Sequence, residues 1–128
     1  MTSIVAGSQA VTSITVFTVK PEHQQQLVDL LVRAAKAVVQ KQPGFISVNI
    51  HKSLDQTQVV SYSQWQSRQA FEDMLQHATV IPYVQKALKI ATIEPNLYEV
   101  VAVIHADQRA APAESKSAAK SVRKAGKK

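Results

Sequence analysis

VVSYSQWQSRQAFEDML, residues Val59–Leu75, decides how the rest of the chain is read. Val59 to Gln64 is rich in β-branched and aromatic residues and predicts a strand that delivers Trp65, the chain's one tryptophan. Two residues later Ser67 has the short hydroxyl side chain that caps a helix, and Ala70, Phe71, Met74 and Leu75 follow at helical spacing. A strand that ends in a large aromatic and turns at once into an amphipathic helix forms a pocket wall and its corner together.

Working back from this stretch, Ser53-Leu54-Asp55-Gln56-Thr57 predicts a hairpin loop, and Phe45 to His51 predicts the strand that precedes it. That strand alternates strictly, with Ile46, Val48 and Ile50 on one face and Phe45, Ser47, Asn49 and His51 on the other. A register pairing His51 with Val59, Asn49 with Ser61, Ser47 with Ser63 and Phe45 with Trp65 gathers the polar residues on one face. It leaves Ile46, Val48, Ile50, Val60 and Tyr62 on the opposite face. Further back, Pro21 suits the first turn of a helix whose apolar positions are Leu27, Leu30, Leu31, Ala34, Ala35 and Val38. Pro43-Gly44 ends it, after about five turns, and Gln24, Gln25, Arg33, Lys36 and Lys41 turn to water. Ser13 to Val19 predicts the first strand, with Thr15, Phe17 and Val19 on one face.

Working forward, Ser67 to about His77 is the second helix and Thr79 to Ala91 a further helical piece, with Pro82 in its first turn. Glu94-Pro95-Asn96 then sets off a last strand, Leu97 to His105. The order strand, helix, strand, strand, helix, strand is the α+β, ferredoxin-like split βαβ pattern, a four-stranded antiparallel sheet with helices on one face. Both faces of that sheet carry apolar residues but the helices cover only one, so a homodimer through the open sheet face is expected.

The 128 residues suffice for one domain with a core and are too few for two. We divide them into a loose lead-in over 1–12, a folded domain over 13–106 and a basic tail over 107–128. The formal charge of +6 misleads as a hint of nucleic acid. From Asp107 onward there are seven Lys or Arg against two acidic residues, which leaves the folded part nearly neutral. A tail of Ala, Ser, Lys and Pro predicts disorder and, at most, non-specific anion contacts. Without cysteine there is no disulfide, thiolate metal site or thiol nucleophile. The first residues lack the pattern of a secretory signal, and no apolar run reaches the roughly 20 residues of a membrane span. The expected location is the cytoplasm.

Three glycines cannot build a nucleotide cradle, and no metal-ligand spacing occurs. Glu72 and Asp73 read as a solvated helix face, and His23, His77 and His105 as exposed or terminal. The predicted cluster of His51, Asn49, Ser47, Ser61 and Ser63 differs, because polar residues under helices need partners and suggest a cavity. Trp65 adds an indole N–H that needs an acceptor when buried.

Pro43-Gly44-Phe45, the hairpin leading to Val59–Trp65, and the following S-x-x-A-F at Ser67–Phe71 resemble the antibiotic biosynthesis monooxygenase domain over roughly residues 13–105. The chain is especially similar to the cofactor-independent anthrone oxygenases of that family. The resemblance implies a dimeric α+β barrel that oxidises a small electron-rich aromatic, an anthrone or quinol, to a quinone with O₂, without flavin, haem or metal. By position it implies Trp65 and His51 at the active site; with Ser61 these are the catalytic candidates, and Phe45, Asn49, Ser63, Phe71, Met74, Leu75 and Gln85 are the substrate-binding candidates. Ser61, Phe71 and Gln85 stand where the anthrone oxygenase has asparagine, tyrosine and arginine. Haem-degrading relatives place an asparagine, a tryptophan and a histidine at positions held here by about Ile14, Met74 and Val84, which argues against haem degradation. The alternative readings are a ligand-binding or stress-related dimer without turnover, and an isomerase or cyclase using the same pocket.

Overall fold

The computed structural model describes residues 10–107; the lead-in over 1–9 and the tail from 108 lie outside the described residues. The elements are β1 (Val11–Val19), α1 (Pro21–Ala37), β2 (Phe45–Lys52), β3 (Gln58–Trp65), α2 (Arg68–Leu75), α3 (Ile81–Leu88) and β4 (Ala91–Tyr98). The strands form one antiparallel sheet in the order β2-β3-β1-β4. This is the expected ferredoxin-like α+β fold. Among the described residues no helix is long and apolar enough to cross a membrane.

Each helix begins for a local reason. α1 has Pro21 in its first turn, where a missing N–H costs nothing, and Glu22 beside the positive end of the helix dipole. In α2 the Ser67 hydroxyl accepts the Ala70 N–H at 3.1 Å. Pro82 sits in the first turn of α3. Gln24 corrects the sequence expectation: it is buried rather than turned to water. Its side-chain amide donates to the Ser53 and Gln58 carbonyls at 3.1 and 2.9 Å, tying the start of α1 to the hairpin. α1 also stops at Ala37, short of Pro43, and a single 3₁₀ turn over Val39–Lys41 fills the gap.

Gly44 fixes the corner. Its φ of 81° is in the left-handed region, and a Cβ there would lie 2.5 Å from that of Ala70. Its carbonyl accepts the Gln66 N–H at 2.7 Å, so the end of β3 and the first turn of α2 close against this glycine.

The β2–β3 register differs from the one expected. Phe45 does pair with Trp65, but a bulge falls between Phe45 and Ser47. Beyond it Ser47 pairs with Gln64, Val48 with Ser63, Asn49 with Tyr62, Ile50 with Ser61 and His51 with Val60. One extra residue shifts the parity of the strand, so each side chain after it faces the opposite way from strict alternation. Val48 and Ile50 therefore turn under the helices with Ser61 and Ser63, and Asn49 and His51 turn to the open face. Ile46, at the bulge, is 40% exposed.

The last strand is also corrected. β4 runs over Ala91–Tyr98 and contains Glu94-Pro95-Asn96, which the sequence reading placed before it. Proline is tolerated because β4 is an edge strand, where a missing N–H can face out of the ladder. The pairing from Val19–Ala91 to Thr12–Tyr98 uses almost the whole length of β1. The apolar residues that follow pair with no strand among the described residues, and Val101 and Ile104 are 84% and 90% exposed.

Two buried clusters lie between sheet and helices. One gathers Phe17, Val19, Leu27, Leu30, Val59 and Ala87; the other gathers Trp65, Phe71, Met74 and Val80. The opposite face of the sheet carries Ile14, Val16, Val60 and Tyr62, all half-buried, and no described helix covers it. These replace the expected set, of which only Val60 and Tyr62 lie there.

Candidate functional site

A cavity of about 450 Å³ lies beneath the helices, walled in part by residues of both clusters. This is a size that suits a small organic ligand. Leu31, Ala34 and Ala35 of α1, Phe71 and Met74 of α2, and Val84 and Ala87 of α3 supply apolar walls. Leu75 and Ile81 line it while remaining 42% and 41% exposed, which places them at its mouth, between the end of α2 and the start of α3.

The sheet supplies the floor. Register places Val11, Ser13, Thr15 and Phe17 of β1 on the same face as Trp65, Ser63, Ser61 and Val59 of β3. Trp65 is fully buried and held from two sides: Phe45 packs edge-on at 5.3 Å between ring centroids and Phe71 at 5.9 Å. Such offset contacts add about 0.5–1.5 kcal/mol each beyond burial and fix the indole plane. The indole N–H donates to the Ser63 hydroxyl oxygen at 3.1 Å, so it is already engaged within the protein. Ser63, having accepted, keeps its own proton to donate elsewhere.

Of the residues the sequence singled out, Ser61, Ser63, Trp65, Phe71, Met74, Leu75 and Gln85 line the cavity, with Gln85 exposed at its rim. Phe45 stands behind Trp65 as a buttress. Asn49 and His51 do not join them: the bulge puts both on the opposite face of the sheet, and His51 is exposed. Sequence reasoning missed Ser13, Thr15 and Tyr83 as lining residues. For Thr15 a signal existed, since it alternates with Phe17 and Val19 on what proves to be the inward face. Tyr83 is the one ionisable side chain among the lining residues, and no carboxylate, imidazole or amine reaches the cavity from the surrounding elements. Lys86, one turn on, lies 5.9 Å from the centre of the Tyr83 ring and is exposed.

An enclosed apolar volume with a rigid indole and a few hydroxyls in its floor is equipped to hold a flat, weakly polar molecule away from water. Comparison with known proteins bears on this directly. The chain belongs to the antibiotic biosynthesis monooxygenase family, whose model matches residues 10–88. Tetracenomycin-F1 monooxygenase of Streptomyces glaucescens is 33% identical over 100 residues, covering 78% of this chain and 89% of that protein. Among solved structures, a mutant of SnoaB, a cofactor-independent oxygenase from Streptomyces nogalater, superposes with a TM-score of 0.68 at 23% identity, covering 76% of this chain and 98% of that one. Rv0793 from Mycobacterium tuberculosis gives 0.65 at 17% identity, covering 75% and 99%. Both structural likenesses concern the fold.

Proposed function

We propose that this protein is a cofactor-independent monooxygenase that oxidises a small, electron-rich fused aromatic, an anthrone or a quinol, to a quinone with O₂. The observation that carries the reading is the apolar cavity built against Trp65 and floored by hydroxyls, in a chain 33% identical over 100 residues to a monooxygenase.

In this reading the substrate is itself the reductant. An anthrone enolises and releases a proton to water, which the peroxide anion formed later takes back, and the oxyanion meanwhile accepts hydrogen bonds from the Ser61 and Ser63 hydroxyls. Electron density at the ring carbon reduces O₂ and a carbon–oxygen bond forms. The resulting hydroperoxide loses water to leave a carbonyl. The CH₂ becomes C=O, with one oxygen atom retained and the other released as water. Trp65 orients Ser63 and presents a flat wall, and Phe71, Met74 and Leu75 exclude water from the reacting edge. His51, on the far face, takes no part. The test is oxygen uptake by purified protein with a panel of anthrones and quinols and no added cofactor. One O₂ consumed per quinone is expected, and protein-independent uptake overturns the assignment.

A second reading, a ligand-binding dimer without turnover, is favoured by one observation: among the described residues, Tyr83 is the only ionisable group lining the cavity. Ligand binding without oxygen uptake selects it. On either reading we propose a homodimer through the open sheet face, supported by the half-buried Ile14, Val16, Val60 and Tyr62 and by the exposed apolar residues after β4. A monomer in light scattering at micromolar concentration overturns this proposal.

A further inference from the structure

The floor of the cavity carries more hydroxyls than packing calls for. Ser13 pairs with Ser63 and Thr15 with Ser61 across β1 and β3, the two central strands. All four side chains line the cavity. Around them the floor is apolar: Val48 and Ile50 flank the group on β2, Pro95 on β4, and the Trp65 and Phe17 levels close its two ends. The result is an island of hydroxyls two strands wide and two rows long. Ordinary sheet spacing makes it about 5 Å across and about 7 Å along.

Buried hydroxyls in a sheet normally find a protein acceptor. Here Ser13, Thr15 and Ser61 make no side-chain hydrogen bond among the described residues, and their hydroxyls are open to the cavity rather than sealed within the protein. Ser63 accepts from Trp65 and retains its proton. Four central, inward positions that would stabilise the core as Val or Ile instead hold groups whose hydrogen-bonding capacity faces the cavity.

We infer that Ser13, Thr15, Ser61 and Ser63 together read an oxygenated edge of the ligand. The substrate class is a planar fused ring with its hydroxyl and carbonyl oxygens grouped along one edge and hydrocarbon along the other. The oxygenated edge rests on the floor between Trp65 and Phe17, and the hydrocarbon edge points to Ala34, Ala35 and Val84. The island is wide enough for several neighbouring oxygens, whereas the helix side of the cavity offers only Tyr83 and, exposed at the rim, Gln85 among the described residues. A ring with oxygens shared equally between opposite edges therefore leaves more of them without partners. This deepens the proposed function and depends on it only for the cavity being the ligand site.

The chain's single tryptophan, Trp65, lies in the cavity wall, so its fluorescence reports occupancy. The probes are 1,8-dihydroxyanthraquinone, with three of its four oxygens on one edge, its 1,5-dihydroxy isomer, with two on each edge, and anthracene, which has none. The native protein is expected to bind the 1,8 isomer at least about tenfold more tightly than the 1,5 isomer, the difference of roughly one well-made hydrogen bond. Ser13→Ala combined with Thr15→Val is expected to reduce that preference to less than about threefold, while affinity for anthracene, which has no oxygen to read and also checks folding, stays the same. Equal binding of the isomers, a preference that survives the double substitution, or no quenching by any of the three overturns the inference. Oxygen uptake by the same protein preparations given 1,8-dihydroxyanthrone, the reduced counterpart of the first probe, separates the two ideas. Edge-selective binding without uptake retires the oxygenase and leaves this inference standing; uptake without edge selectivity does the reverse.

Discussion

At the scale of single residues, Ser63 and Trp65 form one unit. The indole N–H is buried and has the Ser63 oxygen as its acceptor at 3.1 Å. Ser63→Ala strands that donor, so a loss of about 1–3 kcal/mol is expected in denaturant unfolding, with a shift in Trp65 emission. A second residue-scale prediction concerns pH. Asp55 in the hairpin accepts hydrogen bonds from the Ser53 hydroxyl at 2.7 Å, the Thr57 hydroxyl at 2.8 Å and the Thr57 N–H at 3.0 Å, and these hold its carboxyl below the ordinary Asp value of 3.8. Because the folded value is depressed, the loop's contribution is fully present above the ordinary value and is lost as pH falls through the lowered one. Carboxyl-carbon NMR is expected to show Asp55 titrating below the ordinary value of 3.8, whereas a midpoint at or above that value would contradict the bonding pattern.

At the scale of elements, two local devices set the site. Gly44 lets the end of β3 and the start of α2 meet: the left-handed backbone and the 2.5 Å approach to Ala70 both demand the absence of a Cβ. Gly44→Ala is expected to cost more than the about 1–2 kcal/mol of the backbone conformation alone, read as a lower denaturant midpoint. The bulge between Phe45 and Ser47 decides which face of β2 sees the cavity. It puts His51 on the open face, so His51→Ala is expected to leave quinone formation unchanged, while Trp65→Phe lowers it. A fall in turnover in His51→Ala without loss of dimer would mean that the far face contributes to the chemistry.

At the scale of the whole molecule, the sheet has two unlike sides. One side has helices, two apolar clusters and a cavity; the other has Ile14, Val16, Val60 and Tyr62 at the surface of the described chain. Gln64 and Ser47, paired across β3 and β2 on that same side, bury a side-chain oxygen each without a partner. A second copy laid on this face would cover the apolar residues and could satisfy those oxygens. Val16→Glu places a charge in the middle of it, and dissociation to monomer is expected in light scattering, with the far-side cavity still binding ligand. An unchanged dimer in Val16→Glu would move the interface elsewhere.

What the sequence determined by itself is whatever depends on near neighbours: the order of strands and helices, the Ser67 cap, the prolines in the first turns, and the delivery of Trp65 to the corner opened by Gly44. Periodicity and capping act over a few residues, so they are legible in one dimension. Only the tertiary structure decided which side chains share the cavity. Side-chain direction in a strand has a period of two, so the one unpaired residue at Ile46 reversed every position after it and moved Asn49 and His51 out. The length of β1 did the same for the last strand, admitting Glu94-Pro95-Asn96 and leaving the more strand-like run over 100–104 outside the sheet of the described residues. Ser13 and Thr15 looked ordinary in a β-branched run. They became candidates for ligand contact only when pairing with β3 set them beside Ser63 and Ser61, about fifty residues away in the chain but next to them in the sheet.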